Sequence, residues 1–203
     1  MQDYIVGVDE AGRGPLAGPV SVAAIAVKKN SPILKLIRGI RDSKQLSEKQ
    51  REEWFVKIKN WEKRKLLKKA VSMVGSQTID RRGIVRSVHL ALTRSINKLS
   101  VSPNRTQVLL DGSLYAPKEY KNQKTIIGGD EKVSLIALAS IVAKVSRDRR
   151  MKRLSKKYPR YGFDVHKGYG SALHIKLIRR YGLSDIHRRS FCRSFYRPLT
   201  KKR

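Results

Sequence analysis

The sequence predicts an α/β protein in which a mixed β-sheet is flanked by helices and followed by a small helical extension at the C-terminus. Three observations predict this class. The chain opens with short apolar runs of strand length, helical periodicities then alternate with further strand-like runs, and a proline and several glycines break the pattern after Tyr158. We therefore expect one α/β domain over residues 1–158 and a helical, basic extension over residues 159–203.

The first half of the chain supplies three predicted strands and one helix. Residues 4–8 and 20–27 are short apolar runs that favour strands, and the glycines and proline between them predict a loop. The spacing of Ser47 and Gln50 predicts a capping box at the start of a helix. Apolar side chains then recur at helical intervals: Trp54, Ile58 and Trp61. A third strand is predicted near residues 66–74.

The second half continues the alternation. Residues 79–99 carry apolar side chains at helical period, with Gly83 as a weak point of the predicted helix. Residues 107–110 and 124–127 read as further strands, the first of them of the buried type. Residues 133–145 are apolar and rich in alanine, which predicts a helix buried on most sides.

The charge balance points to a polyanionic partner. Forty-six Lys and Arg residues stand against 16 Asp and Glu residues, which gives a formal net charge of +30. Nucleic acid is the leading candidate, because neutralising phosphates supplies most non-specific affinity. An anionic membrane surface competes, but neither a basic amphipathic helix nor a lipidation site stands out. On charge alone, a ribosome-like basic protein stays open.

The cysteine content and the hydropathy of the chain indicate the cellular compartment that it suits. The single cysteine, Cys192, excludes an internal disulfide and a cysteine-based zinc cluster. The longest apolar run, residues 16–27, is too short to span a bilayer, and no basic segment precedes it as in a signal peptide. We therefore expect a cytoplasmic protein with no membrane partner, and a monomer by default.

Acidic residues are scarce, and four of them closely follow predicted strands: Asp9, Glu10, Asp111 and Asp130. An α/β sheet usually holds its site at strand ends. Carboxylates gathered there repel one another unless hard divalent cations lie between them, and Mg²⁺ prefers such oxygen ligands. Two such cations, about 3.5–4 Å apart, can clamp the attacking and leaving oxygens of a phosphodiester. The pattern therefore indicates metal-dependent phosphodiester chemistry.

Two of these four acids also have a structural interpretation. Asp130 could be only the N-cap of the following helix, and Asp111 with Gly112 could be only a turn. The adjacent Asp9 and Glu10 precede a Gly-Arg-Gly loop and have no obvious structural task. Composition alone does not decide whether the four side chains meet in space.

The segment from Asp9 to Pro19, DEAGRGPLAGP, closely resembles the opening motif of bacterial type 2 ribonuclease H, ribonuclease HII. Segments similar to that family follow in the same order: residues 42–44 (DSK), 46–47, 111–112, 129–130, 139–148 (ASIVAKVSRD), 166–170, His174 and 187–191. The resemblance runs over nearly the whole chain, and the first block and the ASIVAK block are highly specific.

The resemblance implies a ribonuclease H-like fold, and it implies a metal-binding catalytic quartet of Asp9, Glu10, Asp111 and Asp130. The implied cofactor is Mn²⁺ or Mg²⁺, with two ions in the substrate complex. The implied activity is that of an endonuclease that hydrolyses the RNA strand of RNA–DNA hybrids. It would also cut 5′ of ribonucleotides embedded in duplex DNA, leaving 3′-OH and 5′-phosphate ends.

The resemblance also implies the substrate-binding residues, which are Gly12, Arg13, Gly14, Ser43, Lys44, Lys144 and Tyr169. The Gly-Arg-Gly loop would contact the backbone at the ribonucleotide and read its 2′-OH, the group that distinguishes RNA from DNA. Tyr169 would pack beside the RNA–DNA junction; from the residues alone it is an ordinary packing tyrosine. Ser43 and Lys44 would bind phosphate, or else belong to a solvated loop beside a helix N-cap.

Two other functions stay open. A nuclease of the same fold that acts on DNA only, such as a junction resolvase, would have no use for the Gly-Arg-Gly loop and Tyr169. A non-catalytic basic RNA-binding protein would suit the charge, but four uncompensated acids would weaken its binding to a polyanion. The histidines at positions 166, 174 and 187 could be taken for a zinc set, although core or surface histidines fit better without a cysteine cluster.

Two further features bear on local structure. Members of the family often carry Asn where Gly83 stands, which puts a helix or backbone contact there in doubt. Residues 187–203 are basic with interleaved aromatics, so they could grip nucleic acid, or Phe191 and Phe195 could dock a helix.

Overall fold

The computed structural model describes residues 3–38, 40 and 46–194. Within these residues the chain forms a mixed five-stranded sheet covered by helices, so the predicted fold class is confirmed. The strands are β1 (Tyr4–Ala11), β2 (Val20–Lys28), β3 (Lys68–Val74), β4 (Thr106–Asp111) and β5 (Gln123–Ile126).

The order of strands across the sheet is β3-β2-β1-β4-β5. β1 pairs antiparallel with β2 and parallel with β4, and β4 pairs parallel with β5. The three parallel strands therefore end at the same edge of the sheet. The register pairs Val8 with Leu110 and Asp111 with Ile126, so the C-terminal parts of these strands lie side by side.

Eight helices accompany the sheet in the described part of the chain. They are α1 (Ile33–Leu36), α2 (Glu48–Lys63), α3 (Ser76–Arg82), α4 (Ile84–Lys98), α5 (Gly129–Lys132), α6 (Ser134–Lys157), α7 (Phe163–His166) and α8 (Ala172–Tyr181). Short 3₁₀ turns lie at Pro103–Arg105, Pro159–Tyr161 and Arg189–Phe191. Among the described residues, no helix combines the length and the apolar character needed to cross a membrane.

The sheet has a hydrophobic core on each face. Successive side chains of a strand point to opposite faces, so alternate residues of β2 serve the two cores. Val22 and Ala24 belong to the core that includes Leu92 of α4. Ala23 and Ile25 belong to the opposite core, which is filled by the apolar first half of α6. This double burial explains why the sequence of β2 is a continuous apolar run.

The contact between β1 and α6 is very close. A Cβ atom placed on Gly7 would lie 2.5 Å from the carbonyl oxygen of Leu135, in the first turn of α6. Real Cβ atoms do not approach backbone atoms so closely. The helix therefore rests against the bare backbone of β1, two residues before Asp9.

Three elements differ from the sequence prediction. β1 continues to Ala11 because it pairs with β2 over its whole length, so Asp9 and Glu10 lie inside the strand rather than after it. The helix predicted over residues 79–99 is divided at Gly83, whose φ of 78° and ψ of 162° strain any residue with a Cβ. The buried helix α6 runs on to Lys157, well beyond the predicted residue 145.

The chain after α6 turns back onto the loop between β1 and β2. Its apolar residues pack with that loop and with the end of α6 in one cluster: Ala17, Met151, Leu154, Tyr161 and Phe163. Backbone hydrogen bonds of 2.8 Å join Leu16 to Gly168 and Gly18 to Ile186. Residues 195–203, which include the predicted aromatics Phe195 and Tyr196, lie outside the described residues.

Candidate active site

The three parallel strands end at one edge of the sheet, where Asp9 and Glu10 lie near the end of β1, Asp111 ends β4, and Asp130 follows β5 in α5. We call this group the acid edge: Asp9, Glu10, Asp111 and Asp130. Asp9 and Glu10 are among the last three residues of β1, and Asp111 is the last residue of the neighbouring β4. The backbone N–H of Gly129 donates to Oδ1 of Asp111 at 2.6 Å, which ties β4 to the segment that carries Asp130.

The N-cap interpretation of Asp130 is wrong for the buried helix. α6 begins at Ser134 after Val133, and no side chain caps it. Asp130 lies instead within the short α5, where it is 1% exposed. The turn interpretation of Asp111 holds in part, since Gly112 has a φ of 57°, but the carboxylate also reaches across to Gly129.

The acid edge concentrates negative charge in a buried place. Burial raises the pKa of Asp9 well above its ordinary value, the adjacent charge of Glu10 adds to the rise, and that of Asp111 adds a little more. A hydrogen bond from Ser140 opposes the rise. Burial also raises the pKa of Glu10, while Arg13, 3.2 Å away, lowers it. For Asp9 and Glu10, burial and the neighbouring negative charges therefore outweigh the hydrogen bonds and the charge of Arg13 that favour the ionised form.

These residues fit a divalent cation by their chemistry. Their donors are all carboxylate oxygens, which hard cations prefer. Oε2 of Glu10 is buried and accepts no hydrogen bond from any described residue. As the side chains stand, no three Asp, Glu, His or Cys residues of the described ranges are arranged as a ligand set. Glu10 thus offers one buried oxygen without a hydrogen bond in the described part of the chain, and the four acids do not form a closed set of ligands in this arrangement.

A cavity of about 390 Å³ opens beside Glu10. Its walls come from β1, the following loop, α2, α6 and the segment before α8, through Glu10, Ala11, Gly12, Arg51, Ser140, Lys144 and Tyr169. Four of these residues were predicted to bind metal or substrate. The structure therefore brings Glu10 of the acid edge to the same cavity as Gly12, Lys144 and Tyr169.

Tyr169 lies at the surface of this cavity and is 44% exposed, so it is not a core tyrosine. Its ring centre is 5.7 Å from Nζ of Lys144 and 5.6 Å from the guanidinium carbon of Arg147. Lys144 donates to Asp148 at 3.0 Å, which fixes the lysine on the cavity wall. An exposed ring flanked by two cations suits contact with a nucleic-acid backbone.

The Gly-Arg-Gly loop contains two glycines in different circumstances. Gly12 has a φ of 89°, and a Cβ there would lie 2.0 Å from Nε of Arg147. Gly14 is exposed, and a Cβ there would meet no protein atom within 4 Å. The fold therefore requires a glycine at position 12 but not at position 14.

Ser43 and Lys44 lie outside the described residues, so their predicted phosphate contacts have no structural counterpart here. The capping box that follows them is present. The backbone N–H of Gln50 donates to Oγ of Ser47 at 3.2 Å, and the N–H of Ser47 donates to Oε1 of Gln50 at 2.8 Å.

Sequence reasoning missed Ser140 and Arg51 as wall residues of the cavity. Ser140 is a buried hydroxyl in the apolar stretch of α6 and bonds Asp9. A lone serine in a run of Ala, Ile and Val is the signal that could have found it. Arg51 sits among many basic residues of α2, and nothing in the sequence sets it apart.

The predicted histidines form a buried hydrogen-bonded group rather than a metal set. Nε2 of His187 lies 3.1 Å from Nε2 of His174, and Nδ1 of His174 lies 2.8 Å from the carbonyl oxygen of Tyr169. His166 stacks on His174 and bonds the carbonyl of Tyr161 at 2.6 Å. Burial lowers the pKa of His174 and of His187 to about 4, which keeps both rings neutral.

Comparison with known proteins gives the family of the chain. The family model described as ribonuclease HII matches residues 6–194. Ribonuclease HII of Coxiella burnetii (strain Dugway 5J108-111) is 46% identical over 187 residues, which cover 92% of this chain and 87% of that protein. The crystal structure of ribonuclease H2 from Pyrococcus horikoshii OT3 is similar with a TM-score of 0.71 and 29% identity, covering 95% of this chain and 96% of that one.

A more distant structure shares the fold alone. Bst-RNase HIII, crystallised in complex with Mn²⁺, is similar with a TM-score of 0.69 at 21% identity over 88% of this chain and 63% of that one. The family match and the identity to the bacterial relative each extend over most of the chain. This chain therefore belongs to the ribonuclease HII family of nucleases.

Proposed function

We propose that this ribonuclease H cuts the RNA strand of RNA–DNA hybrids and cuts 5′ of ribonucleotides embedded in duplex DNA, leaving 3′-OH and 5′-phosphate ends. One observation carries the proposal. Glu10, near the end of the first of three parallel strands, lines a cavity together with Gly12 of the Gly-Arg-Gly loop, Lys144 and Tyr169. That cavity joins a site suited to phosphodiester hydrolysis to groups suited to a sugar–phosphate backbone.

The acid edge would hold Mn²⁺ or Mg²⁺ in this proposal. Asp9, Glu10, Asp111 and Asp130 supply oxygen donors. Burial, and to a smaller extent the neighbouring negative charges, raises the pKa of Asp9 and of Glu10, and a bound cation would offset both causes. Bound divalent cations would lower the pKa of a water and neutralise charge on the departing oxygen. The Mn²⁺ in the related fold of Bst-RNase HIII supports this choice of ion.

The remaining residues bind and orient the substrate. Ser140 holds Asp9 by a hydrogen bond, and Arg13 holds Glu10 at 3.2 Å. Lys144 and Tyr169 form the wall along which a phosphate and the neighbouring sugar would lie. The exposed Gly14 leaves room for the backbone to approach a 2′-OH. Together these contacts favour a ribonucleotide over a deoxyribonucleotide at the cut.

A defined duplex tests the proposal. The protein is incubated with duplex DNA carrying one ribonucleotide, with an RNA–DNA hybrid and with an all-DNA duplex, in Mg²⁺, Mn²⁺ or EDTA. We expect cutting of the first two with either metal, at the 5′ side of the single ribonucleotide, and none in EDTA. Cutting of the all-DNA duplex at a similar rate would favour the DNA-directed nuclease, and metal-independent binding without cutting would favour the RNA-binding protein.

A further inference from the structure

Two buried arginines lie beneath the loop from Gly12 to Pro19, and they are called the arginine clamp below: Arg147 of α6 and Arg188 near the C-terminus. Both side chains are fully buried, with 0% exposure. Buried arginines are rare unless something pairs with them. No carboxylate of the described residues forms an ion pair with either one, so carbonyl groups are what hold them.

Arg188 is bonded to three carbonyl groups of the same loop. Its Nη2 donates to the oxygen of Gly12 at 2.7 Å, its Nη1 to that of Arg13 at 2.7 Å, and its Nε to that of Gly18 at 3.0 Å. Its backbone N–H donates to Leu16 at 2.7 Å. One residue, about 175 positions away in sequence, thus fixes both ends of the loop.

Arg147 fills the space under the same loop from the other side. Its Nε donates to Pro19 at 2.9 Å and its Nη2 to Ala17 at 3.2 Å. It also occupies the volume that a side chain at position 12 would need. Burial, and after it the charge of Arg147, lowers the pKa of Arg188 to about 9, which leaves it charged at neutral pH.

The hydrogen bonds to Arg188 also fix the direction of two backbone N–H groups on the other side of the loop. In a trans peptide the C=O and the N–H point in opposite directions, and no cis peptide occurs among the described residues. The carbonyls of Gly12 and Arg13 face Arg188, so the N–H groups of Arg13 and Gly14 face away from it. Within the described chain neither N–H donates to a protein group.

We propose that Arg188 is a positioning residue that sets substrate specificity: by holding the carbonyls of Gly12 and Arg13 it presents the N–H groups of Arg13 and Gly14 to the ribonucleotide. The proposal rests on the proposed function. The guanidinium fork matters rather than the charge alone, because three carbonyls in three directions need three separate donors. Arg147 supports the arrangement from beneath.

A conservative substitution separates the fork from the charge. Arg188→Lys keeps the charge and loses two of the three bonds. For a duplex with one ribonucleotide we expect kcat to fall on the order of 100-fold, as when one preorganised donor is lost, with KM changed by less than about threefold. The ratio of the variant's cutting rate on the ribonucleotide-containing duplex to that on all-DNA duplex should fall as well. Arg189→Lys, at the exposed neighbour, is the matched control and should behave as wild type.

Unchanged kcat and preference in a folded Arg188→Lys protein would overturn the proposal. If that protein does not fold, wild-type NMR decides. Without divalent ions, the amide signals of Arg13 and Gly14 should shift more with the ribonucleotide-containing duplex than with all-DNA duplex. Equal shifts would also overturn it. If wild type cuts no duplex that contains RNA, the proposed function fails, whereas fast amide exchange of residues 16–18 in Arg188→Lys would still report the clamp.

Discussion

The acid edge and Arg188 of the arginine clamp both bury charge beside the segment from Asp9 to Gly18, but the protein supplies hydrogen-bond partners in full only to Arg188. Each nitrogen of the Arg188 guanidinium donates to a carbonyl group. At the acid edge, Oε2 of Glu10 accepts nothing from the described residues, and burial raises the pKa of both Asp9 and Glu10. A buried charge that the fold satisfies serves to position the chain, whereas one that it leaves unbalanced is suited to a ligand.

The largest expected effect comes from removing one charge of the acid edge. Asp9→Asn should lower cutting of an RNA–DNA hybrid by on the order of 10³-fold or more, because the proposed metal site would lose one of its ligands. The same change should leave stability equal or higher, because it relieves the repulsion with Glu10. Initial rates and thermal unfolding measure the two effects. A variant that is both active and less stable would place Asp9 among the structural charges.

The next effect concerns the buried histidines, which resemble Arg188 because all their ring nitrogens have hydrogen-bond partners. His174 and His187 titrate near pH 4 in the folded protein and near 6.5 in an ordinary site. Between pH 6.5 and 4 the unfolded chain therefore binds protons at these two histidines that the folded protein does not bind. The contribution of the neutral histidines to stability is complete above pH 6.5 and declines as the pH falls towards 4. We expect a loss of about 2–4 kcal/mol in unfolding free energy at pH 5, measured with urea.

The acid edge should respond to pH in the opposite sense. Because its pKa is raised in the folded protein, Asp9 gains protons on folding, and stability rises as the pH falls through its folded pKa. His187→Gln should flatten the acid loss, and Asp9→Asn should steepen it. If the two variants had the same pH profile as wild type, the two regions would not differ in the way described.

A smaller effect separates the two glycines of the loop. Gly12→Ala should cost about 2 kcal/mol of stability, because of its positive φ and the contact with Arg147. Gly14→Ala should change stability by less than about 0.5 kcal/mol. Urea unfolding of both proteins checks this. If Gly14→Ala is stable but cuts poorly, its glycine serves the substrate; equal stability of the two variants would contradict the clamp geometry.

The smallest effect is that of the ion on the folded protein. At ten times its Kd, Mn²⁺ should raise the unfolding free energy by about 1.4 kcal/mol in wild type and by less in Asp9→Asn. Thermal unfolding with a Mn²⁺ series measures it, and Ca²⁺ provides a comparison without catalysis. An equal shift in both proteins would mean that the ion binds elsewhere.

The features that sequence predicts here are the local ones. Strands β2 and β4 and the helix α2 follow from short apolar runs, from periodicity and from the Ser47–Gln50 cap, and the acids are visible because they are few. The limits of β1 were missed because acidic residues are poor strand formers and their pairing with β2 decides the length. Gly83 divides a helix that its periodicity alone would continue.

The clamp was beyond prediction for a different reason. Arg188 is one of 46 basic residues, and its partners lie at the other end of the chain. Nothing local distinguishes a buried arginine such as Arg188 or Arg147 from an exposed one. Ser140 had a weak signal in its apolar surroundings, but the meeting with Asp9 depends on how α6 lies on β1.

The absence of a side chain at Gly7 limits how far α6 can lie from β1 at the candidate site. Because α6 sits directly on the backbone of β1 there, a single added carbon would lift the helix and carry Ser140 and Lys144 away from Asp9 and Glu10. The distance between α6 and β1, and with it the width of the cavity, therefore depends on position 7 having no Cβ. Substitutions of increasing size at this position, first alanine, then serine, then valine, should widen the cavity stepwise. The cutting rate of each variant would show how much widening the reaction tolerates.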